Sequence, residues 1–377
     1  MRVAIDVSVL ERTPPTGVEK ALLQLLRGLA DADADHEYLL VAPRRPPALP
    51  PEPDARFRFH ALGGRPRRGW RERLAAAFAR RQGVDLWHSP VQAIPFLLDR
   101  PRVATMHEIS WLETRGVGDE GPLWKRRAVA WAVARAADLV VCVSRRTRLN
   151  FLALHPAAGP KTVVVPHGVD HRLVGAEPDP IRLEQDLGLP AGRRYFLVVG
   201  RALKRKGLPH AIRAFRAFLD RTGAEIDLVL AGPRNRRLEQ ARSLARRLGL
   251  AERVRTPGYV PEPLLPVLYA GAAALLVPSE SEGFGLPLLE GMAAGTPVIA
   301  HRASSLPEVA GDAALLIDFQ DPAAAAAAME RAIGPERSRL VAAGRARAAA
   351  FPEDLPARRL LELWPLVVAG GGWEVPE

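Results

Sequence analysis

Glu282-Gly283-Phe284-Gly285-Leu286-Pro287-Leu288-Leu289-Glu290 sets two carboxylates eight positions apart around a glycine-flanked turn. Upstream, 272–278 is an apolar run closed by a proline, which reads as a buried strand. Downstream, 286–294 carries apolar residues at helical spacing and stops at Gly295, before a second buried strand over 297–300. Gly283 and Gly285 are therefore expected at a strand-to-helix junction of a parallel sheet, where open α/β sheets bind their ligands. Backbone N–H groups left free at such a helix start suit an anion such as a diphosphate.

The same alternation extends along the whole chain. Strand-like runs occur at 3–7, 38–42, 57–61, 86–87, 103–106, 139–143 and 163–165, and again at 195–199, 227–231, 254–256, 273–277, 298–300 and 314–317. Helical patterns separate them, so the fold class is α/β, with parallel sheets covered by helices. A polar, proline-bearing stretch over 168–180 interrupts the pattern and places a domain boundary within 168–190. Two similar halves would leave a cleft between them. The alanine run 323–328 is expected to be helical from Pro322 onward, because alanine has the highest helix propensity. A further helical pattern over 355–368 is broken by Pro365, and the last glycines and Pro376 are expected to fray.

With 377 residues and 48% hydrophobic content, the chain exceeds what one core organises, and two domains are expected. Its one cysteine, Cys142, excludes an internal disulfide and reads as buried filler. The N-terminus enters a strand at once, and no uncharged stretch approaches the roughly 20 residues that span a bilayer. A cytoplasmic location is the expectation. The net charge of +11 rests on arginine, with only five lysines, and has two readings: the residue bias of a GC-rich genome, or attraction to an acidic surface. Aromatic residues at 6%, with no zinc spacing or helix-turn-helix signature, argue against nucleic acid. The segment 69–81 can form a helix with Trp70, Leu74, Ala77 and Phe78 on one face and arginines around it. Such a helix either lies on an anionic membrane, at its inner face, or packs as an ordinary surface helix.

Gly200-Arg201-Ala202-Leu203-Lys204-Arg205-Lys206-Gly207 brings four cations to the carboxyl end of the first strand of the second half. Arginine grips phosphate oxygens with a planar fork and lysine adds a compact charge. A basic run standing alone is more often a solvated loop. Here it is followed by Gly258-Tyr259-Val260-Pro261 and by 279–286 running into Glu290-Gly291-Met292-Ala293-Ala294-Gly295-Thr296-Pro297-Val298. Together these resemble the retaining glycosyltransferases of family 4, which have the GT-B fold. The resemblance covers nearly the whole chain: Thr16-Gly17 is similar to the family's first loop, and Val165-Pro166-His167-Gly168-Val169-Asp170 to its interdomain segment. His167 stands where most members have asparagine.

The resemblance implies two Rossmann-like domains with parallel sheets facing each other across a cleft. An acceptor-side domain would span 1–175 and a nucleotide-sugar-binding domain 176–350, with a helical tail over 351–377 packing back toward the N-terminal domain. It implies a hexosyltransferase. Arg201 and Lys206 would neutralise the donor diphosphate and the leaving nucleoside diphosphate, so that no metal or other cofactor is needed. Glu290 would accept hydrogen bonds from the ribose hydroxyls and Glu282 from the transferred sugar. Gly283 and the backbone N–H groups of Phe284, Gly285 and Leu286 would lie near the sugar or phosphates, and Val260 near the nucleobase. Gly17 would let the first loop approach the diphosphate. His107, in Thr105-Met106-His107-Glu108, is similar to the family's Thr-x-His-Asp motif and would lie beside the reacting sugar, although Glu108 replaces the commoner aspartate. His107 also reads as a satisfied histidine at a strand end, as does His88. Asp31-Ala32-Asp33-Ala34-Asp35 mimics a metal-binding Asp-x-Asp, but it follows a helix rather than a buried strand and reads as a solvated helix end.

The implied reaction moves a hexose, with mannose preferred, from a nucleoside diphosphate sugar to a hydroxyl of a glycan or lipid-linked acceptor, with retention. Two alternatives remain at this stage: a nucleotide-sugar-binding protein without transferase activity, and a sugar phosphorylase of the same fold.

Overall fold

The computed structural model describes residues 1–11, 15–63, 70–113 and 122–371. The chain divides into two compact units, the first drawn from Met1–Ile109, Glu120–Gly168 and Glu353–Glu377, the second from Ser110–Asp119 and Val169–Pro352. The divisions fall at 168/169 and 352/353, where the sequence reading sets 175/176 and 350/351.

In unit 1, β1 (Arg2–Asp6), β2 (Glu37–Ala42), β3 (Phe57–Ala61), β4 (Leu86–Ser89), β5 (Arg102–Met106), β6 (Leu139–Cys142) and β7 (Thr162–Val164) form one sheet in the order β3-β2-β1-β4-β5-β6-β7. In unit 2, β8 (Tyr195–Val199), β9 (Asp227–Ala231), β10 (Val254–Gly258), β11 (Ala274–Val277), β12 (Val298–His301) and β13 (Leu315–Ile317) form a second, in the order β10-β9-β8-β11-β12-β13. Every pairing is parallel. This explains why the strands read as continuous apolar runs: helices cover both faces, and β9 is buried at every position. The strand order reverses between β1 and β4 and again between β8 and β11. Each such switch point opens a crevice at the carboxyl edge of its sheet.

The helix Leu208–Thr222 shows how local pattern and packing agree. It starts and ends at left-handed glycines, Gly207 (φ 64°) and Gly223 (φ 61°). Its buried side chains Leu208, Ala211, Ile212, Phe215 and Phe218 recur at helical spacing against β8 and β9, where fully burying a phenylalanine contributes about 1.5–3 kcal/mol. The alanine run lies in the helix Pro322–Ile333, capped by the Asp321 carboxylate accepting from the N–H groups of Ala323 and Ala324. Ala325, Ala326 and Ala328 are fully buried, small enough to let this helix approach Leu208–Thr222 closely.

One expectation needs correction, and one pair of readings resolves to the packed helix. Pro365 does not break the last helix, which runs unbroken from Leu355 to Val368. Trp364 (0% exposed) and Val367 (4%) on either side of the proline are anchored in the core of unit 1, so packing offsets the one lost N–H bond. The helix Trp70–Gln82 does not offer its apolar face to a membrane. Trp70, Ala75, Phe78 and Ala79 are buried against Ala4, Leu39, Val41 and Trp87 of the sheet, which makes it an ordinary packed helix. Its expected start at Gly69, and the fraying expected over 372–377, lie outside the described residues. No helix among the described residues is long and apolar enough to cross a membrane.

Cys142 is fully buried at the end of β6, and burial pushes its thiol up to about 12. Asp33 organises the turn into β2, accepting from Tyr38 Oη at 2.6 Å and from the backbone N–H of His36 at 3.1 Å, so it is a turn residue rather than a solvated one.

Candidate functional site

Unit 2 places both diagnostic loops at its switch point, the basic loop after β8 and the glycine-flanked turn after β11. The two loops touch. A Cβ on Gly207 would stand 2.0 Å from the Pro278 carbonyl oxygen, and Gly207 has φ 64°, so only glycine lets the backbones approach. Gly285 (φ 104°) begins the helix Leu286–Ala293 and likewise lacks room for a Cβ, which would meet Leu306 at 2.8 Å. Pro287 fixes the first turn without a wasted donor, and the N–H groups of Gly285 and Leu286 donate to no group among the described residues.

Between these loops lies a narrow cleft lined by Gly200, Arg201, Lys206, Pro278, Ser279 and Glu282, among others. Lys206 Nζ donates to Glu282 Oε1 at 2.5 Å, and Arg205 Nη1 reaches Glu282 Oε2 at 3.3 Å and the Ser281 carbonyl at 2.8 Å. Burial alone would raise the Glu282 pKa, but Lys206 and Arg205 outweigh it and hold the carboxyl below its ordinary range. Arg201 is exposed and makes no ion pair or hydrogen bond among the described residues.

Glu290 sits one helical turn inside Leu286–Ala293, 9% exposed, its Oε2 accepting from Tyr269 Oη at 2.5 Å. Burial and this contact push the Tyr269 hydroxyl far above its usual range, fixing it as a donor. Oε1 of Glu290 has no hydrogen-bond partner among the described residues and remains available to a ligand's donors. Phe284 is buried edge-on to Phe351, with ring centroids 5.8 Å apart. Val260 (5% exposed) follows β10, on the same edge of the sheet.

In unit 1, Gly17 is the first residue of the helix Gly17–Ala32, whose start is tied down by Glu19 Oε2 accepting from the Thr16 N–H at 2.9 Å. His107 follows β5 and its Nε2 lies 2.8 Å from the Pro90 carbonyl oxygen. A carbonyl only accepts, so Nε2 carries the proton. Burial lowers the His107 pKa, so the ring is neutral and Nδ1 is an acceptor. His167 stacks on it at 5.3 Å and 17°. His88 lies inside β4, fully buried, 3.1 Å from Thr105 Oγ1, and is a core histidine.

Sequence reading missed Tyr269 and the Ser304-Ser305 pair. Ser304 and Ser305 follow β12, and Ser305 Oγ donates to the Glu282 carbonyl at 2.9 Å, while Ser304 Oγ accepts from the Glu282 N–H at 3.1 Å. Ser304 has φ 58°, alone among the described non-glycine residues in the left-handed region, a strain of about 1–3 kcal/mol carried where the backbone of Glu282 is gripped. Position at the carboxyl end of a strand is the one signal that could have singled them out. Tyr269 had none, since it reads as core.

Comparison with known proteins agrees with this geometry. A family described as Glycosyl transferases group 1 matches residues 181–347, and one described as Glycosyltransferase Family 4 matches residues 15–173. A D-inositol 3-phosphate glycosyltransferase of Acidothermus cellulolyticus is 33% identical over 70% of this chain and 61% of its own length, so the match leaves over a third of that relative unaccounted for. The O-antigen chain mannosyltransferase B of Escherichia coli is 29% identical over 73% of this chain and 72% of its own. Among solved structures, sucrose-phosphate synthase from Thermosynechococcus elongatus has a TM-score of 0.79 at 24% identity, covering 98% of this chain and 100% of its own. HepE of Anabaena, in complex with UDP and glucose, has a TM-score of 0.75 at 19% identity, covering 97% and 99%. These structural likenesses establish the fold, GT-B.

Proposed function

This chain belongs to the group 1 glycosyltransferases of family 4, and we propose that it transfers a hexose from a nucleoside diphosphate sugar to a hydroxyl of a glycan or lipid-linked acceptor. The observation that carries the reading is the charge arrangement in unit 2. At one switch point Arg201, without a partner among the described residues, and a Lys206 held in place by Glu282 line a cleft beside the start of the helix that carries the buried Glu290. As the bond between sugar and diphosphate breaks, charge grows on the leaving oxygens. We assign Arg201, Lys206 and the N–H groups of Gly285 and Leu286 as the donors that receive it.

Glu282 would accept from hydroxyls of the sugar and Glu290 Oε1 from the ribose, with Val260 beside the base. Within unit 1, Gly17 and the neutral His107, through Nδ1, are the residues we assign to substrate binding. Two cations and the helix start supply the compensating charge, which supports transfer without a metal. Among the site's side chains no nucleophile with an adjacent base stands out, which favours retention by same-face attack, the leaving phosphate oxygen taking the acceptor proton. Mannose is our preferred sugar, supported by the mannosyltransferase among the relatives. We further propose that the reaction takes place at the cytoplasmic side, with the acceptor held at a membrane or free.

Thermal-shift screening of UDP-, GDP-, dTDP- and ADP-sugars identifies the donor, and release of nucleoside diphosphate that depends on an acceptor establishes transfer. Donor binding without release would leave only a binding protein, and sugar 1-phosphate formation would make it a phosphorylase. An inverted anomeric centre in the product, seen by NMR, would overturn retention.

A further inference from the structure

The helix Leu123–Ala136 of unit 1 buries Ala130, Val133 and Ala136 and turns its opposite face to solvent. On that face stand Trp124 and Trp131, seven residues apart and therefore aligned, 67% and 55% exposed. Phe96 (40% exposed), from the loop between β4 and β5, stacks on Trp131 at 6.1 Å and 12°, and Leu97 beside it is 70% exposed. Of the eleven large apolar side chains exposed among the described residues, six belong to this helix or to Phe96-Leu97, whereas the rest are scattered. Such clustering marks an interaction surface rather than the ordinary apolar share of a protein's exterior.

Charge selects the partner. The helix carries Lys125, Arg126, Arg127 and Arg135 and no acidic residue, and the Lys125 ammonium lies 5.3 Å from the Trp124 ring. Two copies meeting through this face would set cations against cations, whereas an anionic bilayer accepts both features at once. Tryptophan rings settle at the headgroup level, and each cation near an anionic surface strengthens binding. We propose that the face formed by Phe96, Leu97, Trp124 and Trp131, with Lys125, Arg127 and Arg135, docks on the surface of an anionic lipid bilayer. Contact lies in the interface plane, and no helix among the described residues is long and apolar enough to span the bilayer. The proposal is independent of the transferase reading, because it is tested without donor or acceptor.

The full chain is sedimented with vesicles of phosphatidylcholine alone and of phosphatidylcholine mixed with phosphatidylglycerol, at low and high salt. Binding is expected only to the anionic vesicles, weakening with salt, with a blue shift of tryptophan emission. Trp124→Ser with Trp131→Ser should weaken binding at least tenfold while the circular dichroism and melting temperature stay unchanged, since both rings are exposed. Lys125→Gln with Arg127→Gln should weaken it roughly fivefold per cation. Absence of binding, equal binding by the tryptophan variant, or equal binding to neutral vesicles overturns the proposal. So does a concentration-dependent dimer in sedimentation velocity that those tryptophan substitutions abolish, which would assign the face to a second copy.

Discussion

The carboxyl edges of the two sheets handle buried ionisable groups in opposite ways. In unit 1, apart from the buried Asp6–Arg71 ion pair, the histidines are kept neutral: burial pushes His88 and His167 down to about 3 and lowers His107 itself. In unit 2 burial would likewise neutralise Glu282, but a lysine at 2.5 Å and an arginine at 3.3 Å keep it ionised. The difference teaches that desolvation wins only where no counter-charge is in contact. The site in unit 2 therefore offers full charges to a charged ligand, while the histidines of unit 1 offer neutral hydrogen-bonding rings.

The largest test of that contrast is Lys206→Ala. It removes a donor from the leaving diphosphate and leaves the Glu282 carboxylate to Arg205 alone, so kcat should fall about 10²–10³-fold and stability by about 1.5–3 kcal/mol. Adding Glu282→Gln should restore much of the stability, by urea denaturation, but not turnover. If it restored turnover as well, Lys206 would be only a structural counter-ion.

Next in size is Glu290→Gln. A charge-assisted hydrogen bond contributes about 1.5–3 kcal/mol, so donor affinity by calorimetry should drop roughly 10–150-fold with kcat changed less. A loss confined to kcat would take Glu290 away from the ribose.

The neutral side is tested by pH. Unfolded histidine titrates near 6.5, and His167 in the folded chain near 3, so between these values the unfolded state binds more protons. Stability is complete above pH 6.5 and declines as the pH falls toward 3, each such histidine adding up to about 1.4 kcal/mol per pH unit. His167→Asn should flatten the decline in urea midpoints between pH 7 and 5, and an unchanged slope would mean that His167 is not held neutral. The smallest expected effect is that of chelation: EDTA should leave turnover unchanged if Arg201 and Lys206 supply the charge, and a loss restored by a divalent ion would end the metal-free reading.

Much of the fold was legible in the chain, and so were the elements of the candidate site. All thirteen strand-like runs correspond to strands, because a strand buried on both faces writes itself as a short apolar run. The loops after β8 and β11 were legible through their glycines, since Gly207 and Gly285 adopt backbone angles that other residues avoid. Amphipathic helices were read less well. The segment 69–81 reads either as a membrane-facing or as an ordinary packed helix and proves to be packed inward, whereas Leu123–Ala136 gives no sign in the sequence that it exposes two tryptophans. Periodicity records that a helix has an apolar face and not what covers it. Pro365 misled for a related reason, as its effect depends on the anchoring of Trp364 and Val367.

By itself the sequence determined the number and order of strands, the places of the tight turns and the kinds of residues at the sheet edges, all set by side-chain period and backbone angle over a few neighbours. Tertiary structure alone decided the pairings: Lys206 with Glu282, 76 positions apart, Tyr269 with Glu290, and His107 stacked on His167. Those pairings fix which groups stay charged, because desolvation and ion pairing act through distance in space, which the order of residues does not record.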